Sequence, residues 1–387
     1  MQYRKFGALD WQVSALGFGA MRLPRIDDDW GRIDEPKATR MLRYAIDRGV
    51  NYVDTAHPYH HETSESFLGR ALQDGYRERI RLATKLPCWK IETAGDFDRY
   101  LDEQLEKLQT DHVDFYLLHG LRAAWWARVR DLGVLNWAEK ALADGRIDHL
   151  GFSFHDQYEV FQEIVDASDL WAFCQIQYNY MDVDRQAGLK GLHYAADKGL
   201  AVVIMEPLRG GQLTNSVPMQ IQTIWDSAPV QRTPAAWALL WLWNQPEVSV
   251  VLSGMTTMDH VVENVAVADR SRTGLLTEED LNVVEQVREQ YQALCPIPCS
   301  GCRYCQPCPS GVNIPGIFDV YTEAIMYEDE RRARVIYNNF IEAEERADRC
   351  VACGECLTTC PQGIDIPDTL AQAHTFLFRE EAKGESL

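Results

Sequence analysis

The sequence predicts an α/β protein: a (β/α)₈ barrel over residues 1–290, then a small, mostly helical, cysteine-rich domain over residues 291–387. Three observations carry this. Short β-rich runs alternate with amphipathic helical stretches from Leu16 to about Asp269, giving eight strand–helix units, the number and length of such a barrel. Cysteine usage then breaks: Cys88 and Cys174 are the only two in the first 294 residues, and the other nine fall between Cys295 and Cys360. Finally, the turn after the first strand, Gly17-Phe18-Gly19-Ala20-Met21-Arg22, lacks the third glycine of a dinucleotide fingerprint, which argues against an open doubly wound sheet.

The elements follow in order. A two-strand hairpin at about Gln2–Phe6 and Gln12–Val13 precedes the barrel. The eight barrel strands are expected at Leu16–Ala20, Asn51–Thr55, Ile80–Lys85, Val113–His119, Ile147–Ser153, Ala172–Gln177, Ala201–Met205 and Val248–Ser253. Between them lie helical runs such as Pro36–Arg48, Ser64–Gln73, Phe97–Leu108, Trp137–Ala143, Gln186–Lys198 and Thr233–Trp243. Several end at Gly49, Gly75, Gly145 and Gly199, where a left-handed cap costs little.

Composition narrows the function. With 46% hydrophobic residues the chain can bury a large core. Its net charge of −20 repels a phosphate backbone and an anionic membrane surface, so neither nucleic acid nor membrane is an expected partner. No apolar run approaches the roughly 18–20 residues of a membrane helix, and no secretory signal is visible. The expected location is cytoplasmic. There, clustered cysteines point to metal rather than to disulfides.

Barrel chemistry belongs at the C-terminal ends of the strands. Asp54 ends the second strand, with Tyr59 five residues on; Lys85 ends the third and His119 the fourth. Any one of these could be a surface or structural residue. Four proton-handling groups at consecutive strand ends make chance a weak explanation. The run Val53-Asp54-Thr55-Ala56-His57-Pro58-Tyr59, then Ser64-Glu65-Ser66-Phe67-Leu68-Gly69, Ala83-Thr84-Lys85 and Asp114-Phe115-Tyr116-Leu117-Leu118-His119, resembles the aldo-keto reductase family over about residues 1–290. The resemblance implies a catalytic tetrad of Asp54, Tyr59, Lys85 and His119. The chemistry suits the residue types. Hydride transfer to a carbonyl builds charge on oxygen, and that charge needs a proton. A phenol with a pKa near 10 is a sluggish acid–base group. Lys85 is expected to lower that pKa, Asp54 to hold Lys85, and His119 to donate to the substrate oxygen.

The same resemblance implies a nicotinamide cofactor, NADP(H) or NAD(H), held by Ala20, Met21, Asp54, Ser153, Gln175, Met205, Glu206, Pro207, Leu208, Gly254, Met255, Thr256, His260, Glu263 and Asn264. Ser153 and Gln175 match carboxamide-binding positions, and Glu263-Asn264 the adenine-contacting pair. Phe154 stands where the family's Asn is usual, and Met205 where many members stack a Tyr. The basic residues that often grip the 2′-phosphate appear as Gly254 and His260, with Arg22 and Arg209 as substitutes, so both nucleotides stay open. Trp30, Trp89 and the pair Trp125-Trp126 follow barrel strands and suggest an apolar-walled pocket.

The tail carries Cys350-x₂-Cys353-x₂-Cys356-x₃-Cys360-Pro361, the spacing of bacterial two-cluster ferredoxins. Cys299-x₂-Cys302-x₂-Cys305-x₂-Cys308-Pro309 is a near copy, one residue shorter before its last Cys. The repeat extends past the sulfurs: Cys308-Pro309-Ser310-Gly311-Val312-Asn313-Ile314-Pro315 parallels Cys360-Pro361-Gln362-Gly363-Ile364-Asp365-Ile366-Pro367. This resembles a helical dicluster ferredoxin domain, which implies two [4Fe–4S] clusters. The fourth ligand of each then belongs to the other motif: Cys299, Cys302 and Cys305 with Cys360, and Cys350, Cys353 and Cys356 with Cys308. Zinc usually takes two separated Cys pairs and fits two runs of four poorly. Cys295 is surplus, an alternative ligand or a buried thiol.

Two function classes follow. One is an NAD(P)-dependent aldo/keto oxidoreductase acting on a small carbonyl or alcohol substrate. Iron–sulfur centres would pass single electrons to an external carrier, a ferredoxin or flavin protein. The other is a non-catalytic redox-sensing or electron-relay subunit that binds a partner protein.

Overall fold

The structure, a computed structural model, describes residues 1–27, 29–215, 217–299, 303–360 and 362–378. The chain divides into two compact units: residues 1–210 with 232–281, and residues 211–231 with 282–387.

The first unit is the expected barrel. A two-stranded antiparallel hairpin, β1 (Tyr3–Lys5) and β2 (Gln12–Ser14), precedes eight parallel strands. These are β3 (Leu16–Gly19), β4 (Tyr52–Asp54), β5 (Arg81–Leu86), β6 (Val113–Leu121), β7 (Ile147–Phe154), β8 (Trp171–Gln177), β9 (Ala201–Met205) and β10 (Val248–Ser253). They pair in chain order, and β10 closes on β3. Strands buried on both faces read as continuous apolar runs, as in Ala201-Val202-Val203-Ile204. The four glycines expected to end helical runs all adopt positive φ: 97° at Gly49, 81° at Gly75, 79° at Gly145 and 81° at Gly199.

The hairpin plugs the N-terminal end of the barrel. Phe6 and Val13 are fully buried in one cluster with Tyr52, Ala83, Phe115, Phe173, Ala201 and Val250, contributed by six different strands. Gly7 makes this approach possible. Its φ is +56°, and a Cβ there would lie 2.4 Å from the backbone nitrogen of Ala201. With that end filled, chemistry is left to the opposite face.

In the second unit, helices Ile314–Met326, Glu330–Asn339 and Ile366–Leu377 surround an apolar core that includes Val312, Ile317, Phe318, Tyr337, Ile364, Leu370 and Leu377. The sequence repeat has a structural meaning here. Asn313 caps the helix starting at Ile314 by accepting from the Gly316 N–H, and Asp365 caps the helix starting at Ile366 through the Asp368 N–H. Pro315 and Pro367 occupy the same early helical position, where a missing N–H costs nothing. Among the described residues, no helix is long and apolar enough to cross a membrane.

Candidate active site and cysteine cavities

The four tetrad candidates converge at the C-terminal face of the barrel. Asp54 ends β4, Lys85 lies near the end of β5, His119 lies in β6, and Tyr59 follows β4 in the loop. Lys85 Nζ donates to Asp54 Oδ1 at 2.6 Å, to the Thr55 carbonyl at 2.7 Å and to the Tyr59 hydroxyl at 3.3 Å. The His119 ring stands edge-on to Tyr59, with centroids 6.1 Å apart. All three donors of the ammonium are therefore used, and it faces the phenol from a site closed to water.

Burial works against the Lys85 charge, but the charge and hydrogen bond of Asp54, with Tyr59, outweigh it and hold its pKa above the ordinary lysine value. Burial raises the Asp54 carboxyl, and Lys85 offsets only part of that. Tyr59 departs from expectation. Burial pushes the phenol above its ordinary pKa; Lys85 pulls it down, while Asp54 and Glu206 push it up, and burial prevails. Lys85 thus moderates the phenol without making it acidic, and Tyr59 rests as a neutral proton donor. His119 is held far below the ordinary imidazole value, by burial first and then by Lys85, His155 and His57. Its Nδ1 is buried with no partner among the described residues. A neutral imidazole keeps one N–H, and with Nδ1 buried Nε2 is the ring nitrogen that remains for a substrate oxygen.

Two elements behind the site escaped the sequence reading. Glu65 Oε1 accepts from Thr84 Oγ1 at 2.5 Å and from Gln104 Nε2 at 2.6 Å, and Gln104 also donates to the Lys85 carbonyl at 3.0 Å. This buried network fixes the backbone that carries the ammonium. The second is the Thr55 carbonyl, a backbone acceptor that no side-chain motif could reveal.

The cofactor candidates line the same face. Ser153 and Gln175 sit opposite each other in the β7–β8 register. Ser153 Oγ accepts from the Gly120 N–H at 2.7 Å, leaving its own O–H to donate. Gln175 Oε1 is buried with no partner among the described residues. A hydroxyl donor beside an orphaned amide oxygen suits a carboxamide. Ala20 is buried and Met21 exposed in the short turn Ala20–Arg22. Met205 ends β9; Glu206 and Arg209 follow at positive φ, 54° and 48°, with Pro207 and Leu208 between. Gly254 is exposed, Met255 buried, and Thr256 Oγ1 lies 3.3 Å from His260 Nδ1.

Three further placements bear on the nucleotide. Arg209 is committed to Asp182, Nε to Oδ2 at 3.2 Å in a buried pair, so it is not the spare cation foreseen for a 2′-phosphate. Arg22 is better placed: a Cβ on Gly254 would lie 3.1 Å from its Cβ and Cγ, so its side chain lies across the residue where the basic group was missing. Glu263 hydrogen-bonds the Thr233 hydroxyl, and Asn264 Nδ2 donates to Ser253 Oγ at 3.0 Å, tying the helix Met258–Ala268 to the end of β10.

Of the aromatic residues, Trp89 packs on His119 at 5.0 Å and on Trp125 at 5.8 Å, forming one wall. Trp30 lies 5.4 Å from the His60 ring. Trp126 is the correction. It is buried against Trp171 and donates to Glu163, within the helical layer.

In the second unit, Cys308, Cys350, Cys353 and Cys356 line one cavity, which Cys305 also borders. Cys299, Cys305 and Cys360 line another. Cys302 lies outside the described residues. Burial and the neighbouring Cys350, Cys353 and Cys308 thiols all raise the Cys356 pKa, so these sulfurs are close enough to repel as thiolates. Such a donor set fits a cationic iron–sulfur core. Cys88 and Cys174 are fully buried, with the Cys88 thiol pushed up to about 12, and are packing residues. Cys295 Sγ lies 3.1 Å from the Ile297 carbonyl.

The comparisons agree with this architecture. The profile of the Aldo/keto reductase family matches residues 15–289, and that of a 4Fe-4S dicluster domain matches residues 298–365. L-galactose dehydrogenase of Arabidopsis thaliana is 26% identical over 316 residues, covering 76% of this chain and 96% of that protein. Aldo-keto reductase AKR11C1 from Bacillus halodurans superposes with a TM-score of 0.61 at 26% identity, over 74% of this chain and 96% of the other. An aldo-keto reductase from Klebsiella pneumoniae, solved with NADPH, gives a TM-score of 0.59 at 25% identity and the same coverage. With a closed parallel barrel, four proton-handling groups on its C-terminal face and two cysteine-lined cavities in the tail, the chain belongs to the Aldo/keto reductase family and is an oxidoreductase of that type extended by a 4Fe-4S dicluster domain.

Proposed function

We propose that the chain transfers hydride between NADP(H) or NAD(H) and a small carbonyl or alcohol substrate, with Tyr59 as general acid and base, and that its tail holds two [4Fe–4S] clusters. The observation that carries this reading is the Lys85 ammonium clamped between Asp54 and Tyr59 with the His119 ring alongside. When bound, the nicotinamide supplies the hydride and the clusters supply one-electron storage. Everything else falls to the chain. His119 Nε2–H donates to the carbonyl oxygen and orients it. Tyr59 gives its proton to the developing alkoxide, or takes one in the oxidative direction. Lys85 stabilises the phenolate left behind, and Asp54 keeps Lys85 in place. Ser153 and Gln175 hold the carboxamide. In the tail, Cys299, Cys302 and Cys305 pair with Cys360, while Cys350, Cys353 and Cys356 pair with Cys308. The two cavities support this crossing, since each collects the last Cys of the opposite motif.

The division of labour puts nucleotide and substrate on residues 1–290 and electron traffic to an external carrier on residues 291–387. The test is carbonyl-dependent oxidation of NADPH or NADH by anaerobically purified protein, followed by the visible spectrum of the clusters during nucleotide addition. Bleaching by the reduced nucleotide supports the coupling. A protein that consumes neither nucleotide with any carbonyl is the non-catalytic relay instead.

Arg22 sets the nucleotide preference. It is the cation beside Gly254, and Glu206 Oε1, 3.8 Å from its Nη2, shares it. A modest preference for NADP(H) over NAD(H) is expected. Arg22→Ala should remove it, at about 1.5–3 kcal/mol for a lost charge-assisted contact. Fluorescence titration of both nucleotides against both proteins checks this. An unchanged ratio would put phosphate recognition elsewhere.

A further inference from the structure

His155 stands just past the end of β7, where its N–H donates to the Leu121 carbonyl at 3.1 Å. Its ring lies beside the residue that follows His119: a Cβ on Gly120 would be 3.9 Å from His155 Cδ2 and 3.4 Å from the Trp125 ring. His119 and His155 are close enough for one ring to depress the pKa of the other. His155 therefore lies beside His119 and the Trp89–Trp125 wall.

Its protonation is fixed by a chain of hydrogen bonds that starts at a carboxylate. Asp182 is buried and accepts from Gln177 Nε2 at 2.9 Å, from Asn179 Nδ2 at 2.9 Å and from Arg209 Nε at 3.2 Å. A carboxylate among three donors can only accept. Gln177 thus presents its oxygen outward, and Gln186 Nε2 donates to it at 3.3 Å. The Gln186 oxygen then faces His155 Nδ1 at 3.2 Å, so Nδ1 must carry the proton. Burial, Arg122 and Arg185 pull the His155 pKa down to about 4, which keeps the ring neutral. What remains is a lone pair on Nε2, which has no partner among the described residues.

We infer that His155 is a specificity residue whose Nε2 accepts a hydrogen bond from a hydroxyl group near the reacting carbonyl, so that the substrate is a hydroxylated aldehyde or ketone. The inference rests on the hydride-transfer reading above and names its substrate class. Two neighbouring imidazoles then present opposite polarity: His119 donates to the carbonyl oxygen and His155 accepts from the hydroxyl. The Trp89–Trp125 wall takes the C–H face of the same molecule. A carboxylate at this position would meet the lone pair and be repelled. An alkyl group would leave Nε2 dry and unpaired.

The test uses isosteric pairs: hydroxyacetone against butanone, and lactaldehyde against 2-methylpropanal. The readout is the ratio of kcat/KM within each pair, for wild type, His155→Phe and Gln186→Leu. Dividing the wild-type ratio by the variant ratio cancels the intrinsic reactivity of the carbonyls. A fall of about tenfold in the preference for the hydroxylated member is expected in His155→Phe, the scale of one hydrogen bond. A smaller fall is expected in Gln186→Leu, which frees the tautomer without removing the ring. In wild type, ¹⁵N NMR of labelled histidine should show the His155 signal, identified by its loss in His155→Phe, as the Nδ1–H tautomer. Ratios that stay the same in both variants, or an Nε2–H tautomer, would overturn the assignment while leaving the reductase reading intact. No turnover of any of the four carbonyls with either nucleotide would overturn both.

Discussion

Tyr59→Phe should lower turnover by roughly 10²–10⁴-fold, the usual scale for removing a general acid, with nucleotide affinity nearly unchanged. The hydroxyl acts on the developing alkoxide, and the ring stays to pack against His119. Steady-state kinetics with nucleotide titration on the same preparations would read both. Near-normal turnover in the variant would show that Tyr59 is not the acid. The companion variant Lys85→Met carries a sign. The Tyr59 pKa is already raised by burial and is moderated by Lys85, so losing the ammonium raises it further. Carbonyl reduction, which needs the protonated phenol, should therefore keep its plateau to higher pH than in wild type, at a lower rate. Alcohol oxidation, which needs the phenolate, should have its rise moved to higher pH. A limb that moves to lower pH would contradict the ion-pair geometry.

The second large effect concerns the tail. Anaerobic protein should contain about eight iron and eight sulfide per chain, the content of two [4Fe–4S] clusters. Cys308→Ser should remove about half, and double variants should reveal the pairing. Cys308→Ser with Cys353→Ser should lose no more iron than either alone, because both sulfurs line one cavity. Cys308→Ser with Cys299→Ser should lose nearly all of it, because each strikes a different cluster. The reverse pattern would establish that each motif ligates its own cluster. Stoichiometric zinc without acid-labile sulfide would replace the iron–sulfur reading altogether.

The barrel was legible because its signals are local and periodic. Apolar strand runs, glycine-ended helices and a polar residue closing each of several strands are all visible in one dimension. The convergence of Asp54, Lys85, Tyr59 and His119 followed from strand ends that share one face. Other features depend on who meets whom. The excursion 211–231 belongs to the second unit, and nothing in its composition separates it. Trp125 and Trp126 are adjacent in sequence, but helix Ala123–Asp131 points one ring at Trp89 and buries the other in the outer layer. The downward pull of Lys85 on the Tyr59 pKa can be inferred from a motif, whereas the cost of burial that outweighs it needs the walls. The tautomer of His155 is set by Asp182, three hydrogen bonds and 27 residues away, a dependence no spacing rule encodes.

The matched caps of the tail domain, Asn313 before Ile314-Pro315 and Asp365 before Ile366-Pro367, mark it as an internal duplication in which each copy kept the same sharp turn into a helix. Duplicated parts usually remain separable, and one copy can decay while the other is maintained. Here each copy sends its last cysteine into the cavity of its twin. Under the crossed ligation, neither copy can be lost without damaging the centre that the other one keeps. Under that ligation, the exchange of one sulfur from each copy would turn two redundant repeats into an obligate pair and make the two-centre tail the smallest version of itself that selection can retain.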